Sequence, residues 1–340
     1  MMYMQHKEKI METKEMSYRE AIRLAMSEAM REDENVVFFG EDIGQYGGGF
    51  GVSVGMLEEF GEERILDTPI SESTMVGCCV GAALTGLRPI CEMMFSDFIA
   101  FGMDSLVNQA AKMRYMHGGE GQVPMVVRLP SGSGTGAAAQ HSQILEAWFC
   151  NVPGLKVVAP TTPAQAKGLL KAAIKDNNPV VFIEGKTLYK LTGPVPLDEN
   201  YSIDLEKTYV EKQGSDVTVV AWGTSLVDVI HVAAELEEKN IDVEVVNPMT
   251  LYPMDMEPIL ESVKKTGRLI IVHEASKTGG VGGEIAAKVA ESEAFDYLQA
   301  PIIRIGGLDV PIPFNRTLEA AVIPQIEDIA DAIYSILGIE

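Results

Sequence analysis

Residues 65–72, ILDTPISE, put a carboxylate, Glu72, where a short apolar strand passes through a Pro-containing turn into a helix of small residues. A strand, helix, strand unit belongs to a parallel sheet, and open parallel sheets place their ligands at the carboxyl edges of the strands. A carboxylate there faces the ligand crevice and is suited to general acid and base work. Taken alone, an acid at a helix N-terminus only offsets the macrodipole, by roughly 0.3–1 kcal/mol. His141 is a second candidate, set between two glutamines in the loop SGSGTGAAAQHSQ, Ser131 to Gln143; on its own it reads as a surface hydrogen-bonding residue. Met94, Phe95, Phe98 and Phe101 read as core unless a ligand is in view. Glu41 and Asp42 end the strand Val36–Gly40, ahead of the glycine-rich IGQYGGGFGVSVG, which is expected to be a long mobile loop. TGGVGGE, after RLIIVHEA, could offer a helix N-terminus to an anion. It reads better as a closely packed helix entry, with His273 a satisfied histidine at a strand end.

Regular elements must carry these residues. Ser17 and Glu20 form a capping-box pattern, and Tyr18, Ile22, Ala25, Met26 and Ala29 recur at helical spacing, which predicts an amphipathic helix over 17–31. After Glu72, Gly77 and Gly81 fall four apart on one helix face, beside Cys78, Ala82 and Ala83, where another backbone could approach closely. A second apolar strand begins at Leu87. SDFIAFGMDSLVNQAAKMRYM reads as helical, and VPMVVRLP, KVVAP and VVFIE as strands, with a helix over 163–175. The expected organisation is a flexible start over 1–15, a doubly wound α/β domain over 16–190, and a linker over 191–214 with room for a short strand pair. A second α/β domain follows over 215–340. Its strands lie in DVTVVAWG, IDVEVVNP, RLIIVHEA and APIIRIGG, its helices over 225–239, 255–265 and 282–292, and a closing helix over 324–337.

A chain of 340 residues suits two domains, and 46% apolar with 22% charged residues is ordinary globular composition. No apolar run nears the ~18 residues of a membrane span. The net charge of −22 repels nucleic acid and anionic membranes but suits a basic partner protein. Cys78, Cys79, Cys91 and Cys150 lack CxxC spacing and read as reduced core thiols. The polar, Met-rich start has no apolar signal core, so a cytoplasmic location is expected. The chain has no GxxxxGK[ST], HExxH or GxSxG, and no GxGxxG set between strand and helix, which removes most nucleotide and hydrolase readings.

Seven strings together span nearly the whole chain: GEDIGQYGG, RILDTPISES with the G-x-x-x-G that follows, GLRPICEMMFSDF, AAQHSQ, PGLKVVAPTTPAQAKGLLKAAIKDNNPVVFIE, VVNPMTLYP and IIVHEASKTGG. In these the chain resembles the beta subunit of the thiamine diphosphate-dependent, decarboxylating component of 2-oxo acid and acetoin dehydrogenase complexes. The resemblance implies an N-terminal pyrimidine-binding domain and a transketolase C-terminal-like domain. It implies that Glu72 hydrogen-bonds N1′ of the aminopyrimidine and favours the imino tautomer that takes the C2 proton, leaving a carbanion as nucleophile. Phe98 would stack on the pyrimidine, with Met94 and Glu41 also on the cofactor side. His141 would face the substrate as the acyl group passes to a lipoyl arm. A structural potassium ion would sit among Asp176, Asn178 and the carbonyls of Met125, Ala173 and Ile174.

The family's GDG motif, which continues to an asparagine holding Mg²⁺ and the diphosphate, is missing from this sequence. The resemblance therefore implies a separate alpha subunit in an α2β2 assembly, meeting this chain near Gly77 and Gly81, and a dihydrolipoyl acyltransferase whose basic peripheral domain suits an acidic surface. The linker KTLYKLTGPVPLDENYSIDL and AAQHSQILEAWF are most like acetoin-cleaving members, with pyruvate next. Branched-chain oxo acids come third, because many branched-chain enzymes have tyrosine at the position of Phe98. A self-contained transketolase-like enzyme would need its own GDG, and a non-catalytic scaffold subunit is opposed by the presence of both Glu72 and His141.

Overall fold

The computed structural model describes residues 12–339. β1 (Thr13–Ser17) leads into the helix Tyr18–Glu32, opened by the expected capping box, in which the Ser17 amide donates to Glu20 Oε2 at 2.8 Å. β2 (Val36–Gly40), β3 (Ile65–Asp67), β4 (Arg88–Glu92), β5 (Val126–Ser131), β6 (Lys156–Val158) and β7 (Val180–Gly185) follow. They are short and mostly buried, as strands covered on both faces must be. β8 (Thr192–Pro196), β9 (Tyr209–Lys212), β10 (Val217–Ala221), β11 (Val243–Asn247), β12 (Thr250–Tyr252), β13 (Leu269–Ser276) and β14 (Ile303–Gly307) complete the strands. The first sheet runs β12-β6-β7-β5-β4-β2-β3 and the second β14-β13-β10-β11-β9. Both are parallel except at one edge each, β12 and β9, so the fold is α/β with two doubly wound units. The principal crossover helices are Glu72–Leu84, Pro163–Lys175, Gly223–Glu237, Glu257–Thr266 and Val281–Ala290; Ile326–Leu337 closes the chain.

Several expectations need correction. Of the supposedly flexible start, residues 1–11 lie outside the described residues, while Thr13–Ser17 pairs antiparallel with β8 from the linker. β12 lies in sequence assigned to the second domain, yet it hydrogen-bonds to β6 of the first sheet. The glycine-rich loop after Glu41 is packed, not loose. Ile43 and Val52 are buried, and Ser53 Oγ donates to the Ile43 carbonyl at 2.8 Å. The stretch after Phe95 is helical but not one α-helix: a 3₁₀ turn (Ser96–Phe98) and the α-turn Ile99–Met103 widen into a π-helix over Asp104–Ala110 before Ala111–Met116. Close helix contact within the chain falls on Gly102, where a Cβ would come within 2.6 Å of Val76 Cγ2. Gly77 faces Ser105, and Gly81 opens outward, with no atom of the described residues within 4 Å of where its Cβ would stand. Cys78, on the same helix, is exposed and is therefore not a core thiol.

Beneath the carboxyl edge of the first sheet, Arg128 of β5 is fully buried between two carboxylates. Its Nε and Nη2 donate to Glu184 of β7 at 2.7 and 2.8 Å, and Nη1 donates to Glu92 of β4. Tyr189 Oη donates to Glu184 at 2.6 Å. Burial pushes the Glu92 carboxyl up in pKa against the pull of the guanidinium. Replacing one member of a buried ion cluster strands the rest, so Arg128→Met is expected to cost about 3–5 kcal/mol. Urea unfolding at neutral pH measures this, and a loss below about 1 kcal/mol would show that the cluster is not structurally critical.

Candidate active site

Glu72 is the first residue of its helix and only 8% exposed. Its turn is pinned to the end of β2 by Thr68, whose amide donates to the Gly40 carbonyl at 2.9 Å. Glu41, the residue after β2, is 5% exposed, and its Oε1 is buried without a hydrogen-bond partner. Burial raises the Glu41 pKa, followed by the charges of Glu72 and Asp42. Two carboxyl groups therefore crowd the carboxyl edge of β2 and β3, and one oxygen of Glu41 has no hydrogen-bond partner among the described residues. A buried unsatisfied carboxyl oxygen costs free energy unless a ligand meets it. Gly40 and Glu92 are register partners on adjacent strands, so Met94 leaves the same edge beside Glu41. Met94 is half-buried, with its Cγ 3.5 Å from where a Cβ on Gly49 would stand.

His141 sits in an aromatic nest. Its ring packs edge-on to Phe95 (4.6 Å between centroids) and to Phe98 (5.3 Å), and Phe95 meets Phe50, which stacks on Tyr189. The structure thus brings His141 and Phe98 together, whereas Phe101, expected as core, is 67% exposed. The loop that carries His141 is held from every side. Lys186 Nζ donates to the His141 carbonyl. Ser96 Oγ donates to the Gln143 carbonyl at 2.7 Å, and Asp97 Oδ1 accepts from Gln143 Nε2 at 2.8 Å. From the second domain, Glu274 Oε1 accepts the Ser133 amide and hydroxyl at 2.6 Å each. Glu319 accepts the amides of Gly134 and Gly136 at 2.7 and 3.0 Å. Sequence reading missed Asp97, Lys186, Glu274 and Glu319. Glu274 stood in the VHEA string, but no spacing rule points from any of the four to residue 141.

The five residues proposed for a cation lie at the opposite, amino edge of the sheet. Asp176 Oδ1 accepts the Asn178 amide and Nδ2 at 2.8 Å, and its Oδ2 accepts from Lys156 at 2.8 Å. Arg88 Nη1 donates to the Ile174 carbonyl at 3.1 Å, Arg114 Nη1 to Asn178 Oδ1 at 3.1 Å, and the Met125 carbonyl takes the Val180 amide. The Ala173 carbonyl accepts the Asp176 amide at 3.2 Å. Cationic side chains already reach this oxygen cluster.

His273 is not a satisfied histidine at a strand end. It lies inside β13, fully buried, and neither ring nitrogen makes a well-formed hydrogen bond among the described residues, Ala275 being its nearest backbone partner. It stacks on Trp222 (5.4 Å, 18°), and a Cβ at Gly280 or Gly282 would come within 2.7–2.8 Å of its ring, so the glycines of TGGVGGE make room for the imidazole. Trp222 Nε1 donates to Glu146 at 3.1 Å. Burial pushes His273 down to about 4 and Glu146 up to about 7. A histidine depressed on folding loses stability as pH falls towards its folded pKa; a carboxyl raised on folding loses it as pH rises. At about 1.4 kcal/mol per unit each contribution totals roughly 3 kcal/mol, and the two oppose one another between about pH 4.5 and 6.5. His273→Asn should leave a protein that weakens from about pH 5 to 7, and Glu146→Gln one that strengthens over that range. Unfolding midpoints across the range test this, and identical profiles for both variants and the parent would rule it out.

The sequence profile of the Transketolase, pyrimidine binding domain matches residues 14–192, and that of the Transketolase, C-terminal domain matches residues 206–329. A solved structure described as a split gene transketolase, inactive beta4 tetramer, superposes with a TM-score of 0.77 at 23% identity, covering 95% of this chain and 99% of that one. The fold is that of the transketolase-like proteins. Over 321 residues the chain is 46% identical to the pyruvate dehydrogenase E1 component subunit beta of Rhizobium meliloti (strain 1021), covering 94% of this chain and 70% of that one. Over 334 residues it is 46% identical to the acetoin:2,6-dichlorophenolindophenol oxidoreductase subunit beta of Bacillus subtilis (strain 168), at 95% and 97%. Identity to the mitochondrial pyruvate dehydrogenase E1 component subunit beta of Homo sapiens is 43%, at 96% and 91%. The chain belongs to the family of beta subunits of the thiamine diphosphate-dependent E1 components of pyruvate and acetoin dehydrogenase complexes.

Proposed function

We propose that this chain supplies the pyrimidine side of a thiamine diphosphate site shared with an alpha subunit in an α2β2 assembly. It acts on acetoin first and pyruvate second, and passes the acyl group to the lipoyl group of a dihydrolipoyl acyltransferase. The observation that carries this reading is the buried Glu72 and Glu41 pair at the carboxyl edge, with Glu41 Oε1 lacking a partner among the described residues. Such a pair fits a ring that carries both a nitrogen acceptor and an amino donor. When bound, thiamine diphosphate supplies the nucleophilic carbon that the protein's own side chains lack. Glu72 would hold and exchange a proton at its carboxyl oxygen, Phe98 and Met94 would confine the ring, and Glu41, held towards its neutral form, would satisfy an amino group. His141, oriented by Phe95, Phe98 and the Lys186 bond to its carbonyl, would hold or move a proton on the substrate side.

Mg²⁺ and the diphosphate are assigned to the alpha subunit because this sequence has no GDG motif. The exposed Ile70, Phe101, Cys78 and Gly81 offer that subunit a surface, and the net charge suits a basic acyltransferase domain. A potassium ion at Met125, Ala173, Ile174, Asp176 and Asn178 belongs to the same proposal and would share the Asp176 carboxylate with Lys156. Acetoin is preferred from the linker and AAQHSQILEAWF strings, and branched-chain oxo acids rank third because Phe98 lacks a hydroxyl.

Reconstitution with the alpha subunit, thiamine diphosphate and Mg²⁺, followed by a dye-coupled assay on each substrate, tests the reading. Glu72→Gln should lower turnover at least about 100-fold with assembly intact, and near-normal turnover would remove Glu72 from the chemistry. His141→Ala should slow acyl transfer to lipoyl groups more than it raises the KM for substrate; unchanged rates of both steps would make it a plain loop residue.

A further inference from the structure

In a chain with 27 Lys and Arg against 49 Asp and Glu, a cavity of about 640 Å³ is walled by Arg19, Lys186, Lys190 and Arg316 with no carboxylate in its lining. It opens between the glycine-rich loop 48–51, the histidine loop at Gly134 and Thr135, the turn after β7, and Arg316 of the second domain. Its volume lies within the range of small-molecule sites. Arg19, Lys190 and Arg316 are exposed and, among the described residues, their side chains make no hydrogen bond or ion pair. Arg19 lies over Gly51 and Arg316 over Gly136, each about 3.6 Å from where a Cβ would stand, so small residues leave the guanidinium groups room at the rim. Lys186, at the base, is 5% exposed. The carboxylates that act on it, Asp97, Glu274 and Glu319, are engaged in hydrogen bonds with the backbone and side chains of residues 133–143. Tyr46, also in the lining, presents a ring that is 74% exposed.

Three exposed cations without hydrogen-bonded carboxylates around one concavity repel one another, and a bound polyanion relieves that repulsion. Arginine's planar fork matches phosphate oxygens two at a time, and an exposed tyrosine face accepts a flat ring. A cavity of this size, with its cations gathered round one opening, favours a small molecule over an extended acidic peptide, which would follow a groove.

We propose that this cavity, which borders the Met94 side of the glycine-rich loop but has neither Glu72, Glu41 nor His141 in its lining, is a second ligand site for a small polyanion of the nucleoside diphosphate class, with its phosphates among Arg19, Lys190 and Arg316 and its base against Tyr46. Titration calorimetry tests it on the assembled enzyme, saturated with thiamine diphosphate so that the cofactor's own pocket is closed to the probes. The probes are ADP, inorganic pyrophosphate and a poly-glutamate peptide. ADP should bind once per chain and pyrophosphate more weakly, and both should weaken as sodium chloride rises. The double substitution Lys190→Ala with Arg316→Ala should weaken ADP at least about 10-fold, with turnover and melting temperature unchanged. Tyr46→Ala should weaken ADP about 5-fold and leave pyrophosphate alone. The proposal fails if ADP does not bind at about 1 mM in low salt. It also fails if the double substitution leaves binding unchanged, or if poly-glutamate binds where ADP does not, which would make the surface a protein-docking site.

Discussion

The buried guanidinium of Arg128, held by Glu92 on one side and Glu184 on the other, is the constraint from which the rest of the site follows. Taking these charges out of water costs several kcal/mol per ion, and only close to ideal geometry offsets it, so the strands that carry them have little freedom to slide. Their rigidity passes outward through shared partners. Glu184 takes the Tyr189 hydroxyl, Tyr189 stacks on Phe50, Phe50 meets Phe95 edge-on, and Phe95 packs against His141. A loop of small residues, which would otherwise have many conformations, thereby rests on a floor tied to the centre of the sheet.

The second domain contributes directly to this arrangement. Glu274 at the end of β13 and Glu319 of the helix Arg316–Ala320 spend their acceptor oxygens on amides of the histidine loop. Backbone amides left without partners inside a protein are costly, so these two carboxylates stabilise one shape of the loop as well as joining the domains. The Glu72 edge is built differently, from strand ends and a helix N-terminus of the first domain alone.

Much of the fold was legible because local chemistry and global architecture agree. The capping box at Ser17 starts its helix, and short apolar runs become strands covered on both faces. Glu72 could be singled out because a carboxyl edge is a consequence of topology. The clamps were hidden because Ser133 and Glu274 are 141 residues apart, and Gly134 and Glu319 are 185 apart, so no periodicity connects them. Glycine roles were equally opaque. The pair at 77 and 81 has the spacing of a contact face, but the neighbour that crowds this helix approaches at Gly102, and the glycines near His273 exist to clear a buried ring. The edge strand β12 is only three residues long and was lost inside an apolar segment that reads equally well as a loop.

That strand has a consequence for how the molecule is made. β6 is completed on its outer side by Thr250–Tyr252, which the ribosome delivers only after the other six strands of the first sheet and the start of the second have been synthesised. Until then the nascent first half carries an open edge with unpaired backbone groups, a ready template for a neighbouring chain. A gene fragment ending at the apparent boundary near residue 190 would therefore encode not a small independent domain but a permanently unfinished one.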